Sequence, residues 1–134
     1  LHLINSARVE KSYWQSPLLK PEKIREALLA GLERSGDTRL PVVTVHRRFK
    51  PFVEDQLAGI AGKNPMFLLH PGDFPPLEAS LLGPHVIMIG PEGGFIPYEV
   101  DLACRSGAQP RSLGSRILSV DTTVPAVLGR TLTQ

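Results

Sequence analysis

The sequence is short of cysteine and of long apolar runs, and each shortage excludes a class of protein. A single cysteine, Cys104, cannot form an internal disulfide or supply a thiolate metal cluster, which favours a reducing compartment. No apolar run approaches the roughly 18 to 20 residues needed to cross a bilayer. The opening residues also lack the charged and apolar regions of a signal peptide. We therefore expect a cytoplasmic protein without a membrane partner.

Net charge is also low, at +2, so it creates no strong field for nucleic acid. The charge is unevenly distributed, however, because residues 1–67 carry eleven basic and seven acidic side chains, whereas residues 68–134 carry four and six. The first half is therefore the electropositive half. Its basic residues are compatible with a phosphate-binding patch or with an ordinary solvated edge, and charge alone does not decide between the two.

The motifs of several common enzyme classes are missing. The four histidines, at positions 2, 46, 70 and 85, do not have the spacing of a metal site, so no metal is expected. Neither G-x-G-x-x-G nor G-x-x-x-x-G-K-[ST] occurs, which gives little support to a dinucleotide dehydrogenase or a phosphate-loop nucleotidase. With 134 residues, 42% of them hydrophobic, the chain is nevertheless long enough to bury the core of one domain.

The apolar pattern predicts alternating strands and helices. Strands are predicted at 1–4, 40–45, 66–69, 86–89 and 111–113, with a long loop over 5–20. Helices are predicted from Pro21 to a stop at Gly36, over 51–57, from Pro97 to a stop at Gly107, and near the C-terminus. The last helix should begin between Asp121 and Val124, because Pro125 is tolerated only in a first turn. This alternation predicts an α/β domain on a largely parallel sheet.

Three of the predicted strands are followed by loops rich in glycine or proline. These loops are residues 69–72, 90–95 and 114–118. Because ligands bind beside the carboxyl ends of strands in open α/β sheets, we expect the three loops to meet at one site. Glycines at 90, 93 and 94 would let main-chain groups approach a ligand closely, although the same loop could serve only to turn a strand into the next helix.

Several motifs occur here in a combination known from one family. They are IGPEGGF at 89–95, SLGSRIL at 112–118, Asp121-Thr122-Thr123 and LLHP at 68–71. In this combination the sequence resembles the 16S ribosomal RNA uridine N3-methyltransferases. The resemblance is closest to a branch that also has RVEKSYWQSPLLKPEKIREALLAGLE and RRFKPFVED, present here at 8–33 and 47–55, and it covers essentially the whole chain.

The resemblance implies a fold of the SPOUT class. This is an α/β domain with a mostly parallel sheet flanked by helices and a C-terminal trefoil knot, usually as a homodimer. Residues 1–134 would form a single domain of this kind. Full-length relatives carry a PUA-like RNA-binding barrel, and then the first strand and helix of the knotted domain, before the point that Leu1 matches. We therefore expect a longer natural protein or a truncated relative.

The resemblance also implies a cofactor, a partner and site residues. The cofactor would be S-adenosylmethionine, and the partner 16S ribosomal RNA in the small ribosomal subunit. The implied cofactor-binding residues are Leu69, His70, Pro71, Ile89, Gly90, Pro91, Glu92, Gly93, Gly94, Leu113, Gly114, Ile117 and Leu118. The candidate RNA contacts are the basic residues Arg8, Lys11, Arg34 and Arg39.

Two residues are candidates for the chemistry itself. Uracil N3 carries a proton at neutral pH, so some group must accept it or stabilise negative charge as the methyl group arrives. Arg116 is the candidate for stabilising negative charge or binding phosphate, and Asp121 is the candidate acid or base. Asp121 could equally be a helix N-cap together with Thr122 and Thr123.

Departures from the family pattern concern the substrate rather than the cofactor. The family typically reads RIL-Arg-x-Glu-Thr, where this sequence has Ser119 in place of the arginine and Asp121 in place of the glutamate. Arg34 also stands where the family favours glutamine. These changes leave open a catalytically silent knotted module that dimerises or binds RNA. A nucleotide-binding α/β domain of other chemistry is a third hypothesis.

Overall fold

The structure is a computed structural model that describes residues 1–79, 81 and 83–131. Its strands are β1 (His2–Ile4), β2 (Thr44–His46), β3 (Met66–Leu69), β4 (Val86–Ile89) and β5 (Ala108–Arg111). Its helices are α1 (Lys11–Trp14), α2 (Pro21–Ser35), α3 (Phe49–Phe52), α4 (Ala58–Ala61), α5 (Pro97–Arg105) and α6 (Val120–Thr131). A 3-10 turn, Pro17–Leu19, precedes α2, and a π-helical turn, Val53–Leu57, joins α3 to α4. None of the helices in these described ranges is long and apolar enough to span a membrane.

The strands form two sheets in which every pairing is parallel. One sheet has the order β4-β3-β5, and the other pairs β1 with β2. In the three-stranded sheet Met66 lies opposite both Val86 and Ala108, so the three carboxyl ends are level with one another. The prediction of an α/β domain with a parallel sheet is confirmed, and the loops after these strands leave from the same edge.

β3 is buried on both faces, which explains its unbroken apolar sequence. Met66 and Leu68 pack into a core with side chains of α3, α4 and α5. Phe67 and Leu69 point to the opposite face and pack with Leu77, Leu81 and Val127, the last of which belongs to α6. Because successive side chains of a strand alternate between faces, each face needs apolar residues here. The central strand is therefore held between two helical layers.

Helix α2 has the boundaries that its sequence predicts. Pro21 occupies the first turn, where its missing N–H is not needed. Gly36 caps the C-terminus at φ 68° and donates its N–H to the Leu32 carbonyl. A left-handed residue at this position is most easily a glycine, so the predicted stop at Gly36 is confirmed.

Two strand predictions were displaced along the sequence. The strand predicted at 40–45 is β2, Thr44–His46, because β1 supplies only three residues with which it can pair. The strand predicted at 111–113 is β5, Ala108–Arg111, which begins directly after Gly107 ends α5 at φ 102°. Pro110 hid β5 in the sequence, but proline is tolerated in an edge strand. The predicted long loop over 5–20 contains α1 and the 3-10 turn.

Two helix predictions also need correction. The helix predicted over 51–57 runs without a break from α3 through the π turn to α4, from 49 to 61. α6 begins at Val120, one residue before the predicted interval, and Pro125 lies inside the helix rather than in its first turn. The Ser119 carbonyl starts this helix by accepting the Thr123 N–H at 2.8 Å. Proline has no N–H, so Pro125 cannot donate the usual bond to the Asp121 carbonyl.

The chain that leaves β5 is fastened to the loop that follows β3. The Ser112 N–H donates to the Pro75 carbonyl at 2.9 Å, and the Ser112 carbonyl accepts the Leu77 N–H at 2.8 Å. The Ser112 hydroxyl donates to the Phe74 carbonyl at 3.1 Å. These bonds fix the starting point of the loop 113–118 close to the loop that begins at His70.

Candidate functional site

The three strand-end loops meet around one cavity of about 300 Å³. Its lining includes all the residues of the implied cofactor set, together with Arg8, Arg116, Val120 and Thr123. The prediction that residues 69–71, 90–94 and 113–118 converge is therefore confirmed. The convergence follows from the level carboxyl ends of β3, β4 and β5.

Main chain forms much of the wall contributed by the loop after β4. The Gly94 N–H donates to the Pro91 carbonyl at 2.7 Å, which closes a tight turn, and Gly94 has φ 69°. A Cβ atom added at Gly90 would lie 3.2 Å from the Phe95 ring and 3.3 Å from the Phe95 amide nitrogen. Side chains are thus disfavoured at both glycines, and backbone N–H and C=O groups line the cavity instead.

The loop after β5 also depends on a glycine. Gly114 has φ 119°, a conformation that L side chains rarely adopt, although a Cβ atom there would meet open space. Arg116 lines the cavity and is exposed, so its guanidinium can reach solvent as well as a ligand. Ile117 also lines the cavity and is 80% exposed. This side of the cavity is therefore open.

His70 lines the cavity and carries a buried ring nitrogen. Its main-chain N–H donates to the Arg111 carbonyl at 3.0 Å, which continues the pairing of β3 with β5. Its ring nitrogen Nδ1 is buried and has no hydrogen-bond partner among the described residues. Burying a polar group without a partner costs free energy, so this nitrogen is suited to a hydrogen bond with a bound ligand.

Arg8 lies at this cavity although sequence reasoning assigned it to RNA. Its Nη1 donates to the Gly93 carbonyl at 2.7 Å. Val120 and Thr123, both in the first turns of α6, also line the cavity and were missed. The sequence could have pointed to them, because they directly follow the loop 114–118 at the start of the next helix.

The other predicted residues lie away from the lining. Asp121 is exposed, and its Oδ1 accepts the N–H of its neighbour Thr122 at 3.1 Å. Ser119, not Asp121, is the residue that starts α6, so the N-cap position belongs to Ser119, and the acid–base role of Asp121 stays a prediction. Lys11 lies in α1 and Arg34 in the last turn of α2, and Arg39 follows α2. None of these three basic residues lines the cavity.

A larger, apolar cavity of about 650 Å³ lies between the edges of β1 and β4. It shares Ile89, Gly90, Pro91, Glu92 and Val120 with the smaller one. Its remaining walls are mainly aliphatic and aromatic side chains, whereas the smaller cavity combines glycine main chain with His70 and two arginines. In the described ranges, no three His, Cys, Asp or Glu side chains are grouped to hold a metal ion.

The sequence matches one protein family over almost its whole length. The family is described as the RNA methyltransferase domain, and the match covers residues 1–132. Among curated proteins, the chain is 29% identical over 126 residues to ribosomal RNA small subunit methyltransferase E of Treponema pallidum (strain Nichols), covering 91% of this chain and 47% of that protein. It is 34% identical over 125 residues to the protein of the same name from Synechocystis sp. (strain ATCC 27184 / PCC 6803 / Kazusa), covering 82% and 39%. The chain thus spans less than half the length of either relative.

Solved structures share the fold. A ribosomal RNA small subunit methyltransferase E from Neisseria gonorrhoeae, bound to S-adenosyl methionine, matches with a TM-score of 0.73 and 22% identity over 93% of this chain and 52% of that one. A probable rRNA-methyltransferase from Porphyromonas gingivalis matches with a TM-score of 0.70 and 21% identity over 95% and 54%. A putative methyltransferase from Legionella pneumophila, in complex with SAM, matches with a TM-score of 0.65 and 22% identity over 96% and 54%.

Proposed function

Because the chain belongs to the family of RNA methyltransferase domains, we propose that it transfers a methyl group from S-adenosylmethionine to N3 of a uridine in 16S ribosomal RNA. The observation that carries this proposal is the meeting of three strand-end loops around one cavity lined by glycine main chain. The names of the curated relatives support the ribosomal RNA substrate. Two structural neighbours that hold S-adenosylmethionine support the cofactor.

The residues of the cavity fit this cofactor. S-adenosylmethionine supplies a methyl group on a sulfonium that is its own leaving group, so the protein must mainly bind, orient and exclude water. A volume of about 300 Å³ lies at the lower end of small-molecule sites, which are about 300 to 1,000 Å³. Main-chain groups of 90–94 and 113–118 would hold its polar parts, and the unpartnered His70 Nδ1 offers one further hydrogen bond. Leu69, Ile89 and Leu113 would exclude water.

Arg116 is the residue to which we assign the handling of charge on the acceptor. It lines the cavity and remains exposed, so it can face both the bound cofactor and an incoming nucleotide. Its guanidinium is always charged and would stabilise the negative charge that develops as uracil N3 loses its proton to solvent water at this open side of the cavity. Asp121 lies outside the lining, where its carboxylate stabilises the positive end of α6 instead.

Calorimetry tests the cofactor assignment directly. The purified chain should release or absorb heat on titration with S-adenosylmethionine and with S-adenosylhomocysteine, and ATP or NAD should bind more weakly if at all. Circular dichroism of the same sample establishes that the chain is folded. A folded chain that gives no heat with either sulfur compound overturns the cofactor assignment, and preferential binding of ATP or NAD favours a nucleotide-binding domain of other chemistry.

A catalytically silent module is the second candidate, and it is favoured by Ser119 and Asp121 in place of the family arginine and glutamate. The double variant Ser119→Arg, Asp121→Glu separates the two. If the departures reduce catalysis, the double variant should transfer labelled methyl groups to 16S ribosomal RNA faster than the unmodified chain. If the unmodified chain already methylates that RNA efficiently, the silent module is excluded.

We further propose that the fold is of the SPOUT class, with a C-terminal trefoil knot. The bonds of Ser112 to Phe74, Pro75 and Leu77 support this, because they place the chain that leaves β5 against the loop that follows β3. The parallel order β4-β3-β5 and the similarity to ribosomal RNA methyltransferase structures support it as well. In this proposal the chain from Ser112 onward threads the loop between β3 and β4.

A homodimer is proposed on the exposed apolar side chains of the C-terminal region. Ile117 is 80% exposed, Val124 40% and Leu128 48%. Val124 and Leu128 are four residues apart in α6 and so share one face of that helix. A second copy of the chain covering this face would bury them. Leu128→Arg should convert a dimer to a monomer in sedimentation, and a wild-type chain that sediments as a monomer overturns the proposal.

The RNA partner and the compartment complete the proposed function. Lys11, Arg34 and Arg39 belong to the electropositive half and remain our candidates for phosphate contacts, whereas the Arg8 guanidinium donates to the Gly93 carbonyl. Phosphate contacts weaken with added salt, so binding of 16S ribosomal RNA should weaken as salt rises, and less steeply in a Lys11→Ala variant. A substrate in the small ribosomal subunit supports a location in the cytoplasm.

A further inference from the structure

We propose that Arg8 is a positioning residue for the glycine loop, residues 90–94, and that it sets the shape of the proposed methyl-donor site from the segment that follows β1. Arg8 lies 85 residues before Gly93 in the sequence, yet its Nη1 donates to the Gly93 carbonyl at 2.7 Å. Hydrogen bonds from a charged donor are shorter and stronger than neutral ones. The positioning role of Arg8 rests on these contacts, and the identity of the ligand rests on the proposed function.

The aliphatic part of Arg8 holds the same glycine. A Cβ atom added at Gly93 would lie 3.0 Å from Arg8 Cβ and 3.1 Å from Arg8 Cδ. Gly93 therefore has its Cα against the stem of Arg8 and its carbonyl oxygen on the guanidinium. Crowding by Arg8 is thus a reason for a glycine at position 93, in addition to the close approach of a ligand that the sequence suggested.

Ala7, the residue before Arg8, is hydrogen-bonded to Glu99 in α5, the helix that follows the glycine loop. Glu99 is only 3% exposed, and its Oε1 accepts the Ala7 N–H at 2.7 Å. Its other oxygen, Oε2, accepts the Ile96 N–H at 3.1 Å at the start of α5. Ala7 and Arg8 thus bind the two ends of the segment 93–99. Because the bond to Glu99 holds Ala7 in place, it also holds the backbone of Arg8 at a distance from which its side chain contacts the Gly93 carbonyl.

Arg8 acts on the site through the protein backbone. The turn that it holds is the one closed by the Gly94 N–H on the Pro91 carbonyl at 2.7 Å. Without Arg8 this turn would keep its own hydrogen bond but lose its attachment to the rest of the molecule. The glycine loop would then open more often, and a ligand would have to pay the free energy of ordering it.

Amide hydrogen exchange and calorimetry on the whole chain test the proposal together. Arg8→Met keeps most of the aliphatic stem and removes the donor, so we expect the Gly94 amide to exchange about tenfold faster and the affinity for S-adenosylmethionine to fall about tenfold. Arg8→Lys keeps a charged donor and should restore part of both losses. Arg25→Ala, a matched arginine variant on the exposed side of α2, should change neither.

The outcomes separate positioning from RNA contact. In methylation assays a positioning role raises KM for the donor and leaves kcat within about twofold, whereas an RNA contact raises KM for RNA and leaves donor affinity unchanged. Unchanged Gly94 exchange in both Arg8→Met and Arg8→Lys overturns the proposal. A wild-type chain that binds no S-adenosylmethionine overturns the proposed function alone, because faster Gly94 exchange in Arg8→Met would still support the positioning role and unchanged exchange would still overturn it.

Discussion

The two sheets are both parallel, but they differ in what covers them. In the sheet β4-β3-β5, all four residues of the central strand are buried, and Leu68 is completely inaccessible. In the sheet β1-β2, Thr44 and Val45 are exposed and only His46 of β2 is buried. The loops that meet at the cavity follow the strands of the first sheet. Arg8, which contacts Gly93, lies in the segment that follows β1 of the second sheet.

This difference shows how the site combines rigidity with access. The central strand β3 is packed on both faces, and it holds β4 and β5 in register, so the starting points of the loops after all three strands are fixed. The loops themselves remain at the surface, where a ligand can reach them. The less buried sheet can therefore tolerate change in its own strands, provided that the segment carrying Ala7 and Arg8 keeps its contacts with Glu99 and Gly93.

The largest expected effect comes from removing core volume under the site. Leu68→Ala should lower the free energy of unfolding by about 2 to 5 kcal/mol, because it leaves a cavity in a fully buried strand. Leu3→Ala, the matched change in half-buried β1, should cost clearly less. Urea unfolding of the two variants measures the difference. Equal losses would show that the two sheets contribute alike and would break the comparison.

Next in size is the loss of the glycine loop. Gly93→Val should lower the affinity for S-adenosylmethionine by about 100-fold while the chain stays folded, because the added side chain collides with Arg8. Calorimetry gives the affinity, and circular dichroism reports the fold. Gly31→Ala, in α2 where a Cβ atom meets open space, is the matched control and should raise stability by about 0.5 to 1 kcal/mol. Undiminished affinity in Gly93→Val would contradict the assigned role of this loop.

A smaller effect is expected where the chain after β5 is fastened. Ser112→Ala removes the hydroxyl that donates to the Phe74 carbonyl and should cost about 1 kcal/mol of stability. Ser112 is 8% exposed, so water does not readily replace the lost bond. Ser35→Ala removes a comparable hydroxyl bond to the Leu32 carbonyl at the exposed end of α2. Denaturant midpoints should show a larger loss of stability in Ser112→Ala than in Ser35→Ala. The reverse order would contradict this explanation.

The smallest effect is a pH dependence confined to the two-stranded sheet. Burial, and after it the neighbouring His46, lower the pKa of His2, whose Nδ1 lies 3.0 Å from His46 Nε2. A lowered pKa means that the folded state favours neutral His2. Its contribution is therefore fully present above the ordinary histidine pKa of about 6.5 and is lost as the pH falls below that value towards the folded pKa.

Substitution tests this assignment. His2→Gln should make unfolding midpoints less sensitive to acid as the pH falls below about 6.5. His85→Gln, in the loop before β4, is the control and should leave that sensitivity as it is. If His2→Gln leaves the acid sensitivity of the wild type unchanged, the histidine pair is not its source.

The same difference in burial explains which strands could be located from the sequence and which could not. The runs 66–69 and 86–89 match β3 and β4 residue for residue. The unbroken apolar run of β3 follows from its burial on both faces, whereas in β4 only Met88 is buried and the other three residues are half-buried. The last strand was predicted at 111–113 instead of at β5, because Ala108–Arg111 is an edge strand that contains polar residues and a proline. β2 was displaced because Val42, which is exposed, and Val43, which is half-buried, carry the same β propensity as residues that pair.

The site was predictable to the extent that it follows from strand ends. The loops at 69–71, 90–94 and 113–118 could be placed together because parallel strands end at one edge. The bond between Arg8 and Gly93 joins residues far apart in the sequence, and no local pattern signals it. Asp121 was assigned by analogy with a family motif, and the start of α6 at Val120 leaves its carboxylate on the exposed first turn.

The level pairing of β3 with β5 brings together residues that lie some forty positions apart in the sequence. Contacts of such long range close late in folding, because the entropy of closing the intervening loop must be overcome first. A chain that has formed only its local helices has therefore not yet assembled the walls of the cavity. A small molecule that binds there would select completely folded molecules and raise the melting temperature in proportion to the logarithm of its concentration. Binding of a ligand in this cavity therefore reports the fraction of molecules that have folded completely.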